Sequence, residues 1–287
     1  MTATVTPARE EAGPAQRAPR RSRRFARGWL LPIWGWLVIL WLCAPIIVMI
    51  VFGFNDTKGR SKTVSTNWNG FTLKWYKNLF VYSDLTTAIR NSITIALATT
   101  AICVVLGTLM GVAMGKYRFR GNGSVNLLLF ANIAAPEVVL GAALLSLFLA
   151  LNIQRGWLTI LLAHVMFSVA FVVVTVRARM AGLDPALEEA ARDLGAGPIT
   201  TFFRITLPMI MPGVMSGGLL VFALSIDDFI ITSFNNGTTQ TFPLWVYGAF
   251  QRNAGSVPPQ VNVMGTIIFG FGVLIAVAVA AAGRKRA

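Results

Sequence analysis

Long apolar runs decide the fold of this chain, and Trp157–Val176, WLTILLAHVMFSVAFVVVTV, is a representative one. Its twenty residues include no Asp, Glu, Lys or Arg. A bilayer core about 30 Å thick needs ~20 mostly apolar residues in a helix that crosses it. Five further runs in the 287 residues meet this requirement: Trp29–Phe52, Ala88–Met114, Ser124–Leu151, Met209–Phe234 and Val261–Ala282. The sequence therefore predicts an all-α polytopic membrane protein with six transmembrane helices.

The composition excludes an ordinary soluble protein. Hydrophobic residues make up 55% of the chain and charged residues 13%, against about a quarter charged in soluble domains. The net charge of +14 does not predict a nucleic-acid partner, because the basic residues fall between apolar runs rather than on a folded surface with reading elements. Cys43 and Cys103 lie far apart inside two runs, so neither a disulfide framework nor a zinc site is indicated.

The first apolar run follows an Arg-rich leader and could be taken for a secretory signal peptide. The apolar region of a signal peptide has only about 7 to 15 residues and ends in a small-residue cleavage site. This run has 24 residues and continues into Phe52-Gly53-Phe54-Asn55. We interpret it as a retained membrane anchor.

The positions of Lys and Arg predict the orientation in the membrane. With a cytoplasmic N-terminus, 17 of the 25 basic residues fall in cytoplasmic segments, as the positive-inside rule requires. Both termini are therefore predicted inside, with cytoplasmic tails at 1–28 and 283–287 and an external loop at 53–87. The tail 1–28 has no apolar periodicity, so we expect it to be disordered and to hold the first helix against anionic lipid.

Glycines repeat at four-residue spacing in two of the predicted spans. Gly107, Gly111 and Gly115 do so in the second span, and Gly213 and Gly217 in the fifth. Such rows give a helix a smooth face on which another helix packs closely. They predict a helix bundle without indicating its function.

The loop between the fourth and fifth spans, 177–208, is too patterned for a simple connector. Asp184 is placed as an N-cap, Pro185 as the first helical residue and Gly195 as the C-terminal stop, which predicts a helix of about ten residues, roughly 15 Å long. A turn and a second short helical piece, Ile199–Thr206, should follow. One side of the first helix carries four apolar residues at helical spacing: Leu187, Ala190, Ala191 and Leu194. This helix either lies at the lipid headgroups or docks a cytoplasmic partner.

A family resemblance favours the docking interpretation. The loop resembles the signature of the membrane subunits of ABC importers, which reads EAA, three residues, G, nine residues and I-x-L-P. The matching residues are Glu189, Ala190, Ala191, Gly195, Ile205, Leu207 and Pro208. The resemblance implies a type I ABC importer permease domain at 88–282, with five helices and the coupling loop 177–208. It further implies that the helix sits in a cleft of a separate ATPase, with Glu189 as a polar contact and Gly195 as the turn.

ATP hydrolysis would need a phosphate-binding loop of the form G-x-x-x-x-G-K-[ST]. At Gly115-Lys116 this pattern fails, because Met110 stands in place of the first glycine and Tyr117 follows the lysine. We therefore expect no catalytic residue, bound metal or cofactor in this chain. The resemblance implies that two separate ATPase subunits use the ATP.

Ionisable residues inside the spans are candidates for the substrate path, because burying a charge in hydrocarbon costs about 2.5 to 3.5 kcal/mol or more. Three carboxylates qualify, Glu137 midway along the third span and Asp227 and Asp228 late in the fifth, and they would favour a cationic substrate. Asp227 and Asp228 are ~100° apart on a helix. One should therefore face the substrate path, while the other stabilises a break in the helix. Each could instead pair with a backbone N–H, a Ser or Thr hydroxyl, or a neighbouring subunit. His164 is predicted to be a hydrogen-bonded packing residue.

A second resemblance bears on the substrate. Four segments are similar to those of spermidine and putrescine permeases: Trp68–Tyr76, Lys116–Gly121, Pro136-Glu137 and Ser225–Asp228. The resemblance implies polyamine uptake in a bacterial cell membrane, together with a homologous permease in a heterodimer and a solute-binding protein. The segment Asp56–Thr66 departs from the family pattern and falls where a binding protein would dock.

Two alternatives stay open at this point. Related permeases of the same family are associated with ferric iron, thiamine or opines, so the cargo could be another small cation or organic solute. A secondary transporter could use Glu137, Asp227 and Asp228 as proton or cation relays, although the coupling loop argues against it.

Overall fold

The computed structural model describes residues 27–57, 67–252 and 257–284. The predicted basic tail lies outside this part of the chain except for its last two residues, which begin the first helix. Most of the divergent Asp56–Thr66 segment and the end of the C-terminal tail also lie outside it. The chain divides into two compact units, Met1–Ile47 and Val48–Ala287, and each is described by itself.

The described residues form twelve α-helices and one π-helical segment. The helices are α1 Arg27–Phe52, α2 Lys74–Lys77, α3 Ser83–Lys116, α4 Asn122–Ala134, α5 Glu137–Ala150, α6 Trp157–Met180, α7 Ala186–Asp193, α8 Pro198–Thr201, α9 Leu207–Asp227, α10 Ile230–Asn235, α11 Phe242–Arg252 and α12 Gln260–Arg284. The π-helical segment is Phe202–Thr206. Five helical stretches in this part of the chain are long and apolar enough to cross a membrane, and the pair α4–α5 raises the number to six. This agrees with the predicted polytopic helical fold.

The third predicted span is not one helix. It consists of α4 and α5, which meet at a bend of 109°. Ala135 and Pro136 between them are extended, with ψ of 138° and 130°, as expected where a proline restricts the residue before it. Glu137 is therefore the first residue of α5, at the bend between the two helices.

Helix α6 packs against α3 along the predicted glycine row. A Cβ added at Gly107 would lie 2.5 Å from the Cβ of Val172, and one added at Gly111 would lie 2.9 Å from the Cβ of Val176. A Cβ added at Gly115, the next glycine of the row, would lie 3.0 Å from the Cβ of Met180. The absent side chains let the two backbones approach closely, which confirms the close-packing role predicted for this row.

Helix α9 packs against both α6 and α3. A Cβ added at Gly217 would lie 2.4 Å from the Oγ1 of Thr175 in α6, and one added at Gly218 would lie 2.9 Å from the Cγ2 of Val104 in α3. The three helices enclose a buried cluster: Cys103, Val172, Val176, Ile210, Val214 and Val221. Because lipid is as apolar as these side chains, close van der Waals packing holds the helices together.

The segment after α1 is held to the start of α2 by its backbone and by aromatic rings. The indole Nε1 of Trp75 donates to the Asn55 carbonyl oxygen at 2.9 Å. The ring of Phe54 stacks between Phe71 and Tyr76, with centroid distances of 5.3 and 4.9 Å, and burial raises the pKa of the Tyr76 hydroxyl. The aromatic residues of the segment Trp68–Tyr76, in the predicted external loop, are therefore part of a folded structure.

Candidate functional site

The membrane half of the site is a break in the fifth predicted span. Helix α9 ends at Asp227, Asp228 is extended with a ψ of 123°, and α10 resumes at Ile230. The Asp228 Oδ2 accepts hydrogen bonds from the Thr232 amide and hydroxyl, both at 2.7 Å. These bonds satisfy donors at the start of α10 that lack a helical partner. Asp228 therefore braces the break, which is one of the two roles predicted for the aspartate pair.

His164 joins the two sides of this break from α6. Its side chain is 2% exposed. The ring Nδ1 lies 2.7 Å from the Ser225 Oγ in α9, and the ring Nε2 lies 2.9 Å from the Thr232 Oγ1 in α10. The Nε2 is also 3.3 Å from the Asp228 Oδ2. The structure confirms the prediction of a hydrogen-bonded packing residue and supplies its partners.

The hydrogen bonds around His164 fix the role of one ring nitrogen. The Thr232 hydroxyl donates its proton to Asp228, so towards His164 it can only accept. The ring Nε2 must then carry a proton and donate it to Thr232, and Nδ1 pairs with the Ser225 hydroxyl. This assignment gives every hydroxyl and ring nitrogen of the group a partner of the right kind.

Asp227 has a different environment from its neighbour. It lines a cavity of about 1210 Å³ between α9, α11 and α12. Among the described residues Asp227 is the only charged side chain in the lining. Six aromatic side chains also contribute: Phe222, Phe229, Phe242, Tyr247, Phe250 and Phe269. A carboxylate among aromatic and aliphatic groups favours a cation that also has an apolar surface.

The third candidate, Glu137, is separate from this cavity. It lies in the first turn of α5, its side chain is exposed, and it is not among the residues that line the cavity. The structure thus places only Asp227 of the three predicted carboxylates in the cavity, next to the break that Asp228 braces.

The second half of the site is the loop after α6. The Asp184 Oδ1 accepts from the Ala186 amide at 3.0 Å, which is the bond expected of the predicted N-cap side chain. Pro185, however, stands at the N-cap position and not as the first helical residue. Helix α7 therefore has eight residues, Ala186–Asp193, instead of about ten, because it begins after Pro185 and ends before Leu194. Gly195 follows with a φ of +80°, and its amide donates to the Arg192 carbonyl oxygen at 2.8 Å. This positive φ accounts for a glycine at the turn.

The segment after the turn differs from the prediction. The expected separate piece Ile199–Thr206 is part of one 30-residue helical stretch, Pro198–Asp227. Within it, Phe202–Thr206 is π-helical, and the Leu207 amide donates to the Phe202 carbonyl oxygen five residues earlier. Short π-helical segments are frequent at functional sites. The motif residues Ile205, Leu207 and Pro208 therefore connect the loop directly to the membrane helix.

Two adjacent glutamates of α7 face different ways. The motif residue Glu189 is exposed. Glu188 forms an ion pair with Lys116 at the end of α3 and accepts a hydrogen bond from the Thr206 Oγ1 at 2.8 Å. Burial would raise the pKa of Glu188, but the hydrogen bonds from Lys116 and Thr206 and the charges of Lys116 and Arg192 outweigh it, so the pKa lies below its ordinary value of 4.5. Glu188 was not among the site residues predicted from the sequence.

Apolar side chains around α7 are left uncovered. Leu194 is 89% exposed, Ile199 is 75% exposed and Phe203 is 60% exposed. Of the four apolar residues predicted to share a face of α7, only Ala191 is buried against the rest of the chain. Exposed apolar groups of this size at a loop indicate a surface for a partner.

Comparison with known proteins identifies the class to which this fold belongs. The chain superposes on the crystal structure of a bacterial ABC transporter involved in the import of the acidic polysaccharide alginate, with a TM-score of 0.65. The match covers 91% of this chain and 97% of that one at 15% sequence identity, so it shows the fold alone. The fold is that of an ABC transporter membrane subunit.

Sequence comparison identifies the family of the chain. It belongs to the family of binding-protein-dependent transport system inner membrane components, whose model matches residues 104–286. It is 37% identical over 252 residues to the spermidine/putrescine transport system permease protein PotC of Escherichia coli strain K12, covering 88% of this chain and 90% of PotC. It is also 39% identical over 237 residues to the putrescine transport system permease protein PotI of the same strain, covering 80% of this chain and 82% of PotI. The chain is a multi-pass transport component of the bacterial inner membrane.

Proposed function

We propose that this chain is a permease subunit of an ATP-driven importer of polyamines. The observation that carries the proposal is the Asp227 carboxylate in an otherwise apolar, aromatic-lined cavity. The similarity to PotC and PotI over most of the chain supports the same substrate class. The chain forms half of the translocation path, and a homologous permease forms the other half.

The chemistry of the cavity suits an aliphatic chain with ammonium groups. The carboxylate of Asp227 replaces part of the hydration that an ammonium group loses on entering the membrane. The rings of Phe229 and Tyr247, with centroids 4.6 Å apart, offer faces for cation–π contact. The aliphatic residues of the lining contact the methylene groups. A single carboxylate binds one ammonium group at a time, which lets the substrate leave.

The energy for transport comes from outside this chain. Two ATPase subunits hydrolyse ATP, and α7 docks against one of them through the exposed residues Leu194, Ile199 and Phe203 together with Glu189. Closure of the ATPases moves the coupling helices, the path opens outward, and a solute-binding protein delivers the cargo. This chain contributes the path and the coupling, without a covalent step or a bound cofactor.

The test compares the cavity carboxylate with a hydroxyl that does not line the cavity, in the assembled importer. The complete complex is reconstituted in proteoliposomes, and ATP-dependent uptake of labelled putrescine and spermidine is measured. Asp227→Asn removes the charge in the cavity, so the KM should rise by about tenfold or more. Ser233→Ala serves as the matched control, since its hydroxyl bonds only to the Ile230 carbonyl oxygen of its own helix.

Three outcomes would contradict the proposal. Uptake that continues without ATP would indicate a secondary transporter. A wild-type complex that transports thiamine or ferric iron but no polyamine would assign a different cargo to the same family. If Asp227→Asn transports polyamines with an unchanged KM, the carboxylate does not contact the substrate.

A further inference from the structure

We propose that Glu188 is the residue through which movement of α7 is transmitted to the membrane helices. This role goes beyond the EAA motif, which begins at the next residue. It makes Glu188 a positioning residue that acts through α3 and α9, while Glu189 faces the ATPase. The inference rests on the proposed function in one respect, namely that α7 is the helix that the ATPase moves.

Glu188 connects three separate elements. Its Oε2 pairs with the ammonium group of Lys116, the last residue of α3. Its Oε1 accepts from the hydroxyl of Thr206, the last residue of the π-helical segment before α9. The Arg192 guanidinium, one turn later on α7, lies 3.7 Å from the Oε2. Both carboxylate oxygens are therefore used, and each is bonded to a different membrane helix or its extension.

Few other contacts hold α7 in place. Of its eight residues only Ala191 is buried and only Glu188 is half-buried, while the other six are exposed. Positions 188 and 191 lie on the same face of the helix, three residues apart. The small, buried Ala191 side chain sets how closely α7 packs against the rest of the chain, whereas Glu188 supplies the directional bonds. Without Glu188, α7 keeps its backbone connections and the Ala191 contact but loses its side-chain bonds to α3 and to the segment before α9.

The elements that Glu188 joins lead to the cavity. Helix α9 extends from the π-helical segment to Asp227, and it packs against α3 and α6 through Gly217 and Gly218. Helical elements and packed side chains of this kind are the contiguous contacts that carry coupling between distant sites. Movement at Glu188 therefore reaches Asp227 through one helical stretch.

The location of the ion pair also suits a mechanical role. Lys116 and Glu188 are partly shielded, with side-chain exposures of 26% and 18%, so salt screens their interaction less than that of a fully exposed pair. The lowered pKa of Glu188 keeps the carboxylate charged at neutral pH. The charge that the link requires is therefore present at neutral pH.

The experiment measures ATP hydrolysis and labelled putrescine uptake in the same proteoliposomes that contain the complete importer. Glu188→Gln and Lys116→Glu should each lower uptake per ATP by about fivefold or more, while hydrolysis continues. Lys116→Arg keeps the charge and should retain wild-type coupling. Asp193→Asn is the matched control, because Asp193 lies on the same helix and its side chain is exposed.

A charge exchange provides the decisive comparison. The double variant Lys116→Glu/Glu188→Lys restores an ion pair between α3 and α7, but not the hydrogen bond from Thr206. Uptake per ATP should recover by about threefold relative to either single variant. Because the double variant keeps both charges, it also serves as the test if Glu188→Gln does not assemble.

Two results would overturn the inference. The first is a wild-type ratio of uptake to ATP in both Glu188→Gln and Lys116→Glu. The second is an assembled double variant that couples no better than the single variants. Either result could occur in a system whose wild-type complex transports polyamine, and it would leave the proposed function intact. Failure of the wild-type complex to transport polyamine would overturn the proposed function instead.

Discussion

Replacing His164 by leucine should loosen the break between α9 and α10. Leucine fills a similar volume but offers neither a donor nor an acceptor. The change removes the contacts of the ring with the Ser225 Oγ at 2.7 Å and the Thr232 Oγ1 at 2.9 Å. The Ser225 hydroxyl loses its partner from α6, while Asp228 keeps both bonds from Thr232.

The magnitude follows from these contacts. A side-chain hydrogen bond between membrane helices contributes on average about 0.6 kcal/mol and at most about 1.7 kcal/mol. Two such bonds, both short and between fully buried groups, should lie towards the upper end of that range. We therefore expect His164→Leu to lower the free energy of unfolding by about 2 to 3 kcal/mol.

Unfolding in mixed detergent micelles, followed by tryptophan fluorescence, measures this difference. Ser146→Ala is the control, because the Ser146 hydroxyl bonds only to the Ala142 carbonyl oxygen of its own helix. It should change the unfolding free energy by less than about 0.5 kcal/mol. If His164→Leu is as stable as this control, the ring does not hold the two helices together and the reasoning is refuted.

Three further predictions concern the packing and the coupling loop. Gly107→Ala would place a methyl group 2.5 Å from a valine Cβ and should destabilise the protein by about 1 to 3 kcal/mol in the same unfolding assay, whereas Gly272→Ala, with no neighbour within 4 Å, should have little effect. Gly195→Ala should lower the free energy of unfolding by about 1 to 2 kcal/mol, because the φ of Gly195 is +80°. Gly197→Ala should not lower it, because the φ of Gly197 is −69°. Equal stabilities of these two variants would contradict the role of the turn. The folded-state pKa of Glu188 lies below 4.5. The difference in unfolding free energy between wild type and Glu188→Gln should therefore be fully present above pH 4.5 and shrink as the pH falls through the folded-state pKa. Unfolding measured across an acid series checks this.

The spans could be predicted from hydrophobicity because crossing a bilayer imposes a length that few other structures need. The bend between α4 and α5 was also signalled in the sequence, since Pro136 interrupts an otherwise continuous apolar run and disfavours a helical residue before it. The angle of 109° could not be derived, because it depends on what each half packs against. Hydrophobicity therefore predicts that a segment crosses the membrane better than it predicts its path.

The two halves of the site were predictable to different degrees. Fixed spacing marked the coupling loop, and helical geometry required Asp227 and Asp228 to differ. Which aspartate braces the break depends on His164, which is 64 residues away along the chain, and which glutamate of α7 faces inward depends on Lys116. Contacts between distant parts of the chain leave no local pattern in the sequence.

The glycine row between α3 and α6 has a consequence for sliding of these helices. The contacts of Gly107 with Val172 and of Gly111 with Val176 repeat every four residues on both helices. A shift of α3 by four residues, about 6 Å, would place each glycine opposite the next such side chain and re-form nearly the same contacts. The middle of the pair therefore does not fix its axial alignment. That alignment depends on the two ends, where the Trp157 Nε1 donates to the Thr94 Oγ1 at 3.1 Å and Lys116 is anchored at the opposite end of α3.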